Sequence, residues 1–153
     1  MRTPAKLALN FAVLALFVPV TATDAFAGIH PAYLHALSDL RTARGHLAER
    51  PDHGALRHEE RAAIEEINRA IDDIKGAAEA DGKNIDWHPP VDLPRDWSGR
   101  LRRSLELLNR AYGDIDRAED NGYAHGLRNR ALGHISRARE RVQEAMEIIR
   151  ERY

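Results

Sequence analysis

Eight histidines stand in a chain that has no cysteine, so any metal site must be built from imidazole, carboxylate and backbone nitrogen. The sharpest arrangement is Gly28-Ile29-His30. Cleavage before Gly28 would leave a free amine, two deprotonatable amides and an imidazole at the third position, four nitrogens in a plane suited to Cu(II) or Ni(II). The plain alternative is that His30 merely precedes Pro31 at the start of a helix. His88 and Asp86, in a proline-rich middle stretch, are further candidate donors if that stretch shares an end of the molecule with His30.

The other histidines point away from chemistry. On a helical wheel His35, Asp39 and His46 form one stripe roughly opposite Leu37 and Leu40. A His-x-x-x-Asp pair spans one helical turn and suits a metal. His46, however, lies about 16 Å from His35 by helix rise, so a solvated face is the expectation. His58 falls opposite its own apolar stripe, and His125 and His134 are more than two turns apart. No His-x-x-x-His or His-Glu-x-x-His pattern occurs, and neither do a glycine-rich phosphate loop, a nucleophile elbow or the Glu-x-x-His pattern of a di-iron bundle. The carboxylate pairs Glu59/Glu60, Glu65/Glu66 and Asp72/Asp73 are sequence neighbours, which a helix turns about 100 degrees apart, so they read as solvating charges. The expectation is a protein that is not an enzyme, with no catalytic residues and no resident cofactor beyond the Cu or Ni reading.

What must position these residues is helical. Past residue 30, apolar side chains recur at three- and four-residue spacing in four blocks, with no alternating strand pattern. Helix one spans about Pro31 to Ala48, with proline in the tolerated first turn and Tyr33, Leu37, Leu40 and Leu47 on one stripe. Helix two begins after Asp52, buries Leu56, Ile64, Ile67, Ile71 and Ile74, and stops near Gly82. Helix three, capped by Asp96, turns Trp97, Leu101, Leu105, Leu108, Tyr112 and Ile115 inward. After a turn at Asp120-Asn121-Gly122, helix four runs from about Tyr123 to Arg152 and buries Ala124, Ala131, Ile135, Ala138, Val142, Ala145 and Ile149. Leu107 is left at the flank of helix three as a candidate contact for a homodimer.

The four blocks are two copies of one pattern. Shifted by 68 residues, positions 34–79 match 102–147 at 12 of 46 places without a gap, where roughly four would be chance for such a composition. The matches are mostly apolar or turn-forming: Leu37/Leu105, Leu40/Leu108, Ala63/Ala131, Ile67/Ile135, Ala70/Ala138 and Asp52/Asp120. A packing unit is therefore what repeats. Short turns predict an all-α, up-down-up-down four-helix bundle made by a tandemly duplicated hairpin. Its parts are hairpin one at 31–82, a strap at 83–95 and hairpin two at 96–152. That connectivity puts His30, the strap and Tyr153 at one end and both turns at the other.

The first 27 residues read as a signal peptide: Arg2 and Lys6 precede an apolar run from Leu7 to Val20, and Ala25-Phe26-Ala27 is a small-x-small cleavage pattern. Export to the periplasm or the medium follows, with no stable membrane anchor after cleavage. Residues 28–153 are one domain by size, and without cysteine they hold together by packing alone. Outside the leader 21 basic and 23 acidic residues remain, a net charge of −2. That balance argues against a nucleic-acid partner. Full protonation of the histidines would carry it toward +6.

The strings HPAYLHALSDLR at 30–41 and DGKNIDWHPPVD at 81–92 resemble small exported bacterial helical-bundle proteins with no named function. The resemblance implies a helical fold and export and brings no ligand or catalytic residues. The expected activity is protein–protein interaction, with an envelope protein or with itself. The alternative is a periplasmic Cu(II)/Ni(II)-binding or metal-sensing protein.

Overall fold

A computed structural model of the chain describes residues 31–48, 56–80, 82, 99–118 and 122–152. They form α1 (Pro31–Ala48), α2 (Leu56–Ala80), α3 (Arg100–Asp116) and α4 (Gly122–Arg152), with no strand among them. The leader, Gly28, Ile29 and His30, the strap with Asp86, Trp87 and His88, Asp96 with Trp97, and the turns at Asp52 and Asn121 lie outside the described residues; the N-cap of α3 is Gly99, a correction to the expected Asp96.

Each helix has one apolar stripe, and the four stripes close on one core. On α2 that stripe is Ala63, Ile67, Ala70, Ile74 and Ala77, and on α4 it is Ala131, Ile135, Ala138, Val142 and Ala145. Both alternate a small residue with a β-branched one at heptad spacing. Small residues let backbones approach, and α2 and α4 make the most extensive contact of any pair. Contact between α1 and α3 comes next, and the two within-hairpin contacts are smaller. The bundle is thus held mainly across its hairpins.

Named contacts give the directions. Between α1 and α3, His46 meets Arg100, Ala43 meets Ser104 and Asp39 meets Arg110. Between α2 and α4, Glu59 meets Arg141, Glu66 meets His134 and Asp73 meets Arg130. In both series one number falls as the other rises, so both pairs are antiparallel. Arg100 also reaches Glu60 near the start of α2, which makes α2 and α3 run the same way. The all-helical bundle is as expected, but its order is up-down-down-up, a correction to the up-down-up-down reading. Short turns fix direction only within a hairpin; the long middle segment leaves hairpin two free to invert.

The ends change accordingly. The junction of α1 and α2 shares an end with the start of α3, while Gly82 and the junction of α3 and α4 lie at the other. Gly82 closes α2 in the left-handed region, φ +64°, and its N–H donates to the Glu79 carbonyl at 3.0 Å. Gly99 opens α3 with φ +80°, and its carbonyl accepts from the Arg103 N–H at 2.8 Å.

Two surface readings also change. Leu107, expected at the flank, is only 2% exposed, whereas Ile149, expected inside, is 40% exposed. Ile149 belongs to the last turns of α4, which run on past the start of α2.

Gly82 and Gly99 lie at opposite ends of the bundle. Gly82 is 22 residues beyond Glu60, about 33 Å of helix. A linker cut to five residues reaches roughly 21 Å when fully extended and cannot close within one chain. Light scattering should then give such a variant twice the mass of the parent chain, by exchange of hairpins between copies. An unchanged mass would refute the inverted order.

Candidate functional site

Among the described residues, polar side chains link the hairpins at several places, and three of these bear on the candidate residues. The first is at the end where α3 begins. Arg100, 6% exposed, pairs with the Glu60 carboxylate, 3% exposed, and donates from its second terminal nitrogen to the His46 carbonyl at 3.1 Å. The Ser104 hydroxyl donates to the Arg100 carbonyl at 2.9 Å, one turn back. His46 is itself buried, which corrects the solvated-face reading. Glu60 is likewise not a solvating charge. Two ions out of water are tolerable only when paired and further bonded, and α1, α2 and α3 each supply part of that shell.

The second place is between α1 and α3. Arg110 grips Asp39 with two bonds, Nε to Oδ2 at 3.0 Å and Nη2 to Oδ1 at 2.8 Å. Those bonds raise the guanidinium above its ordinary value. They also occupy the carboxylate that the His35/Asp39 metal reading needed, while His35 stays exposed beside it.

The third is on the flank of α2 and α4. His134 Nδ1 lies 2.6 Å from Glu66 Oε2, and its Nε2 lies 3.7 Å from Asp73 Oδ2. Arg137 Nε donates to the same Glu66 oxygen at 2.9 Å, Arg69 donates to the other at 2.6 Å, and Arg130 donates to Asp73 at 3.0 Å. Burial pushes the Glu66 carboxyl up, but hydrogen bonds from His134 and Arg137, with their charge, hold it below the ordinary value. Glu66 and Asp73 were read as solvating; they are about 85% buried in this clasp.

Among the described residues no three His, Asp or Glu side chains are grouped so as to hold a metal ion. Arginine surrounds the nearest approach to such a group, at His134. His58 and His125 are exposed and apart from these assemblies. The candidates Gly28, Ile29, His30 and His88 lie outside the described residues.

The surface offers something the sequence reading did not single out. A groove of about 720 Å³ opens between α3 and α4, lined by Leu105, Met146, Glu140, Gln143, Glu144, Glu147 and Arg150. Leu105 and Met146 pack on the core and are only partly covered. Its sequence signal was an apolar stripe on α4 wider than its neighbours can bury, with Met146 next to Ala145 and Ile149 one turn on. Nearby, the Arg139 guanidinium sits over the Tyr112 ring at 5.4 Å from its centre.

Comparison with protein-family models, with curated proteins and with solved structures finds no match. The reading of the site therefore stands on the residues themselves.

Two outcomes check this geometry. Truncating one member of the buried pair, Arg100→Ala or Glu60→Ala, should cost about 3–5 kcal/mol in urea unfolding, and the joint Glu60→Leu/Arg100→Met replacement should recover most of it. Equal losses in single and double variants would argue against a buried pair. For Glu66, a carboxyl held low in the folded state, the unfolded chain binds more protons at acid pH. Its contribution is complete above the unfolded carboxyl value, about 4.3, and is lost as pH falls through the lower folded one. Glu66→Gln should flatten the decline of the urea midpoint between about pH 5 and 2.

Proposed function

We propose that this chain is an exported, non-enzymatic helical bundle that acts by binding another protein of the bacterial envelope. The observation that carries this reading is the groove between α3 and α4, whose apolar floor, Leu105 and Met146, is only partly covered and continues toward the exposed Ile149. Exposed apolar surface concentrated in one groove marks a contact site. The charged groups inside the bundle are engaged with one another across the hairpins, which favours a scaffold over a reaction centre. Export rests on the leader-like residues 1–27, and among the described residues no helix is long and apolar enough to cross a membrane.

We also propose that the two hairpins arose by duplication. Residues matched by the 68-residue shift have like environments: Leu40 and Leu108, Ala63 and Ala131, Ile67 and Ile135, Ala70 and Ala138, and Ala77 and Ala145 are all fully buried.

A photo-crosslinking side chain at Gln143, in the groove, and another at Asp72, on the corresponding face of hairpin one, provide the test in an exporting bacterial host. The Gln143 variant should give a discrete envelope-protein adduct that the Asp72 variant does not. No adduct from either position or from any other exposed face would remove the binding reading.

A further inference from the structure

We infer that the groove between α3 and α4 takes a basic amphipathic helix of a partner protein, an inference that rests on the reading of the chain as a binding module and names the chemistry of its partner. The floor is apolar: Leu105 from α3 and Met146 from α4, with Ile149 one turn beyond at 40% exposure. The wall is acidic. Glu140, Gln143, Glu144 and Glu147 follow one another at helical spacing along about 10 Å of α4; Arg150 reaches Glu147 at 3.7 Å and Arg141 reaches Glu144 at 2.8 Å, so three carboxylates meet two guanidinium groups. An occupant must bring apolar side chains to the floor and cations to the wall. A helix with leucine-like residues at i, i+3, i+4 and i+7, flanked by Lys or Arg, does both.

The exposure is specific to hairpin two. Sixty-eight residues back, the counterparts of Leu105 and Met146 are Leu37 and Ala78, both fully buried. The same face is therefore closed in one hairpin and only partly covered in the other. A second copy of the chain is a poor occupant, because twofold pairing of this groove with itself would bring six carboxylates together with four guanidinium groups, a net excess of negative charge. Like charges at that density oppose docking and favour a partner of the opposite sign.

The probes are a fourteen-residue Leu/Lys amphipathic peptide and a Leu/Glu peptide with the same apolar face, added to the chain lacking residues 1–27. Methyl NMR reports the location and titration the affinity. The Leu/Lys peptide should shift the Leu105 and Met146 methyls and bind at least tenfold more tightly than the Leu/Glu peptide. Glu140→Lys/Glu147→Lys should weaken it at least tenfold. Asp72→Lys/Glu79→Lys makes the same change of net charge at the exposed counterpart positions and should leave binding within twofold; circular dichroism checks that both variants fold. Equal weakening by the two variants, equal affinity for the two peptides, shifts confined to other methyls or no binding of either peptide would each overturn the inference. An adduct from Gln143 in cells would in those cases still uphold the binding reading.

Discussion

A paired charge at one end of the core sets how the two halves of this protein meet. Arg100 is the first residue of α3, yet its side chain crosses the bundle to Glu60 on α2, a helix that α3 does not otherwise touch among the described residues. It also bonds the His46 carbonyl of α1. Turning hairpin two end for end would leave both ions buried without partners, at several kcal/mol each. A purely apolar end layer would accept either orientation. The pair therefore contributes direction more than net stability, and Gly99 in the left-handed region gives the backbone the turn by which Arg100 enters the core.

With that orientation, the two hairpins are related by an approximate twofold axis across the bundle. The register follows from the contacts: Glu66 meets His134, its own counterpart 68 residues on, so this pair stands where the axis passes between α2 and α4. In two identical hairpins the same residue would face itself there, glutamate against glutamate or imidazole against imidazole. A single chain holding both halves has no such restriction, and the position carries a complementary pair flanked by Arg137, Arg69 and Arg130. On the corresponding axis between α1 and α3, near Leu40 and Leu108, self-facing is harmless because apolar contact has no sign.

The helices and their buried stripes were legible in the sequence, since period 3.6 in apolar residues is a direct record of one-sided burial. Pro31 and Gly82 marked ends for local steric reasons. Helix direction was not legible. It is decided by long-range pairings such as Arg100 with Glu60, Arg110 with Asp39 and His134 with Glu66. The same long-range pairing hid the candidate polar sites. Glu60, His46 and Glu66 look like solvated charges on a single-helix wheel because a wheel carries no information about arginines arriving from another helix. The groove was half legible: Met146 and Ile149 widened the apolar stripe of α4, but the helix length that carries Ile149 past the start of α2 is a property of the assembled bundle.

The open and closed faces of the hairpins follow from where each residue sits relative to the seams. Positions between hairpins, such as Ala70 and Ala138 or Ile67 and Ile135, are fully enclosed by the other half, so a change there creates a cavity or a clash. Positions on the outer side of the α3 and α4 contact answer to neither constraint. Met146 stands where Ala78 stands in hairpin one, Arg139 where Ile71 stands, and Arg102 where Leu34 stands. Each replacement is larger or more polar than its counterpart and none is fully buried, with Arg139 laid over Tyr112. Recognition built on this face leaves the inter-hairpin core and its ion pairs untouched. A partner docking there would leave undisturbed the packing that keeps a cysteine-free bundle folded.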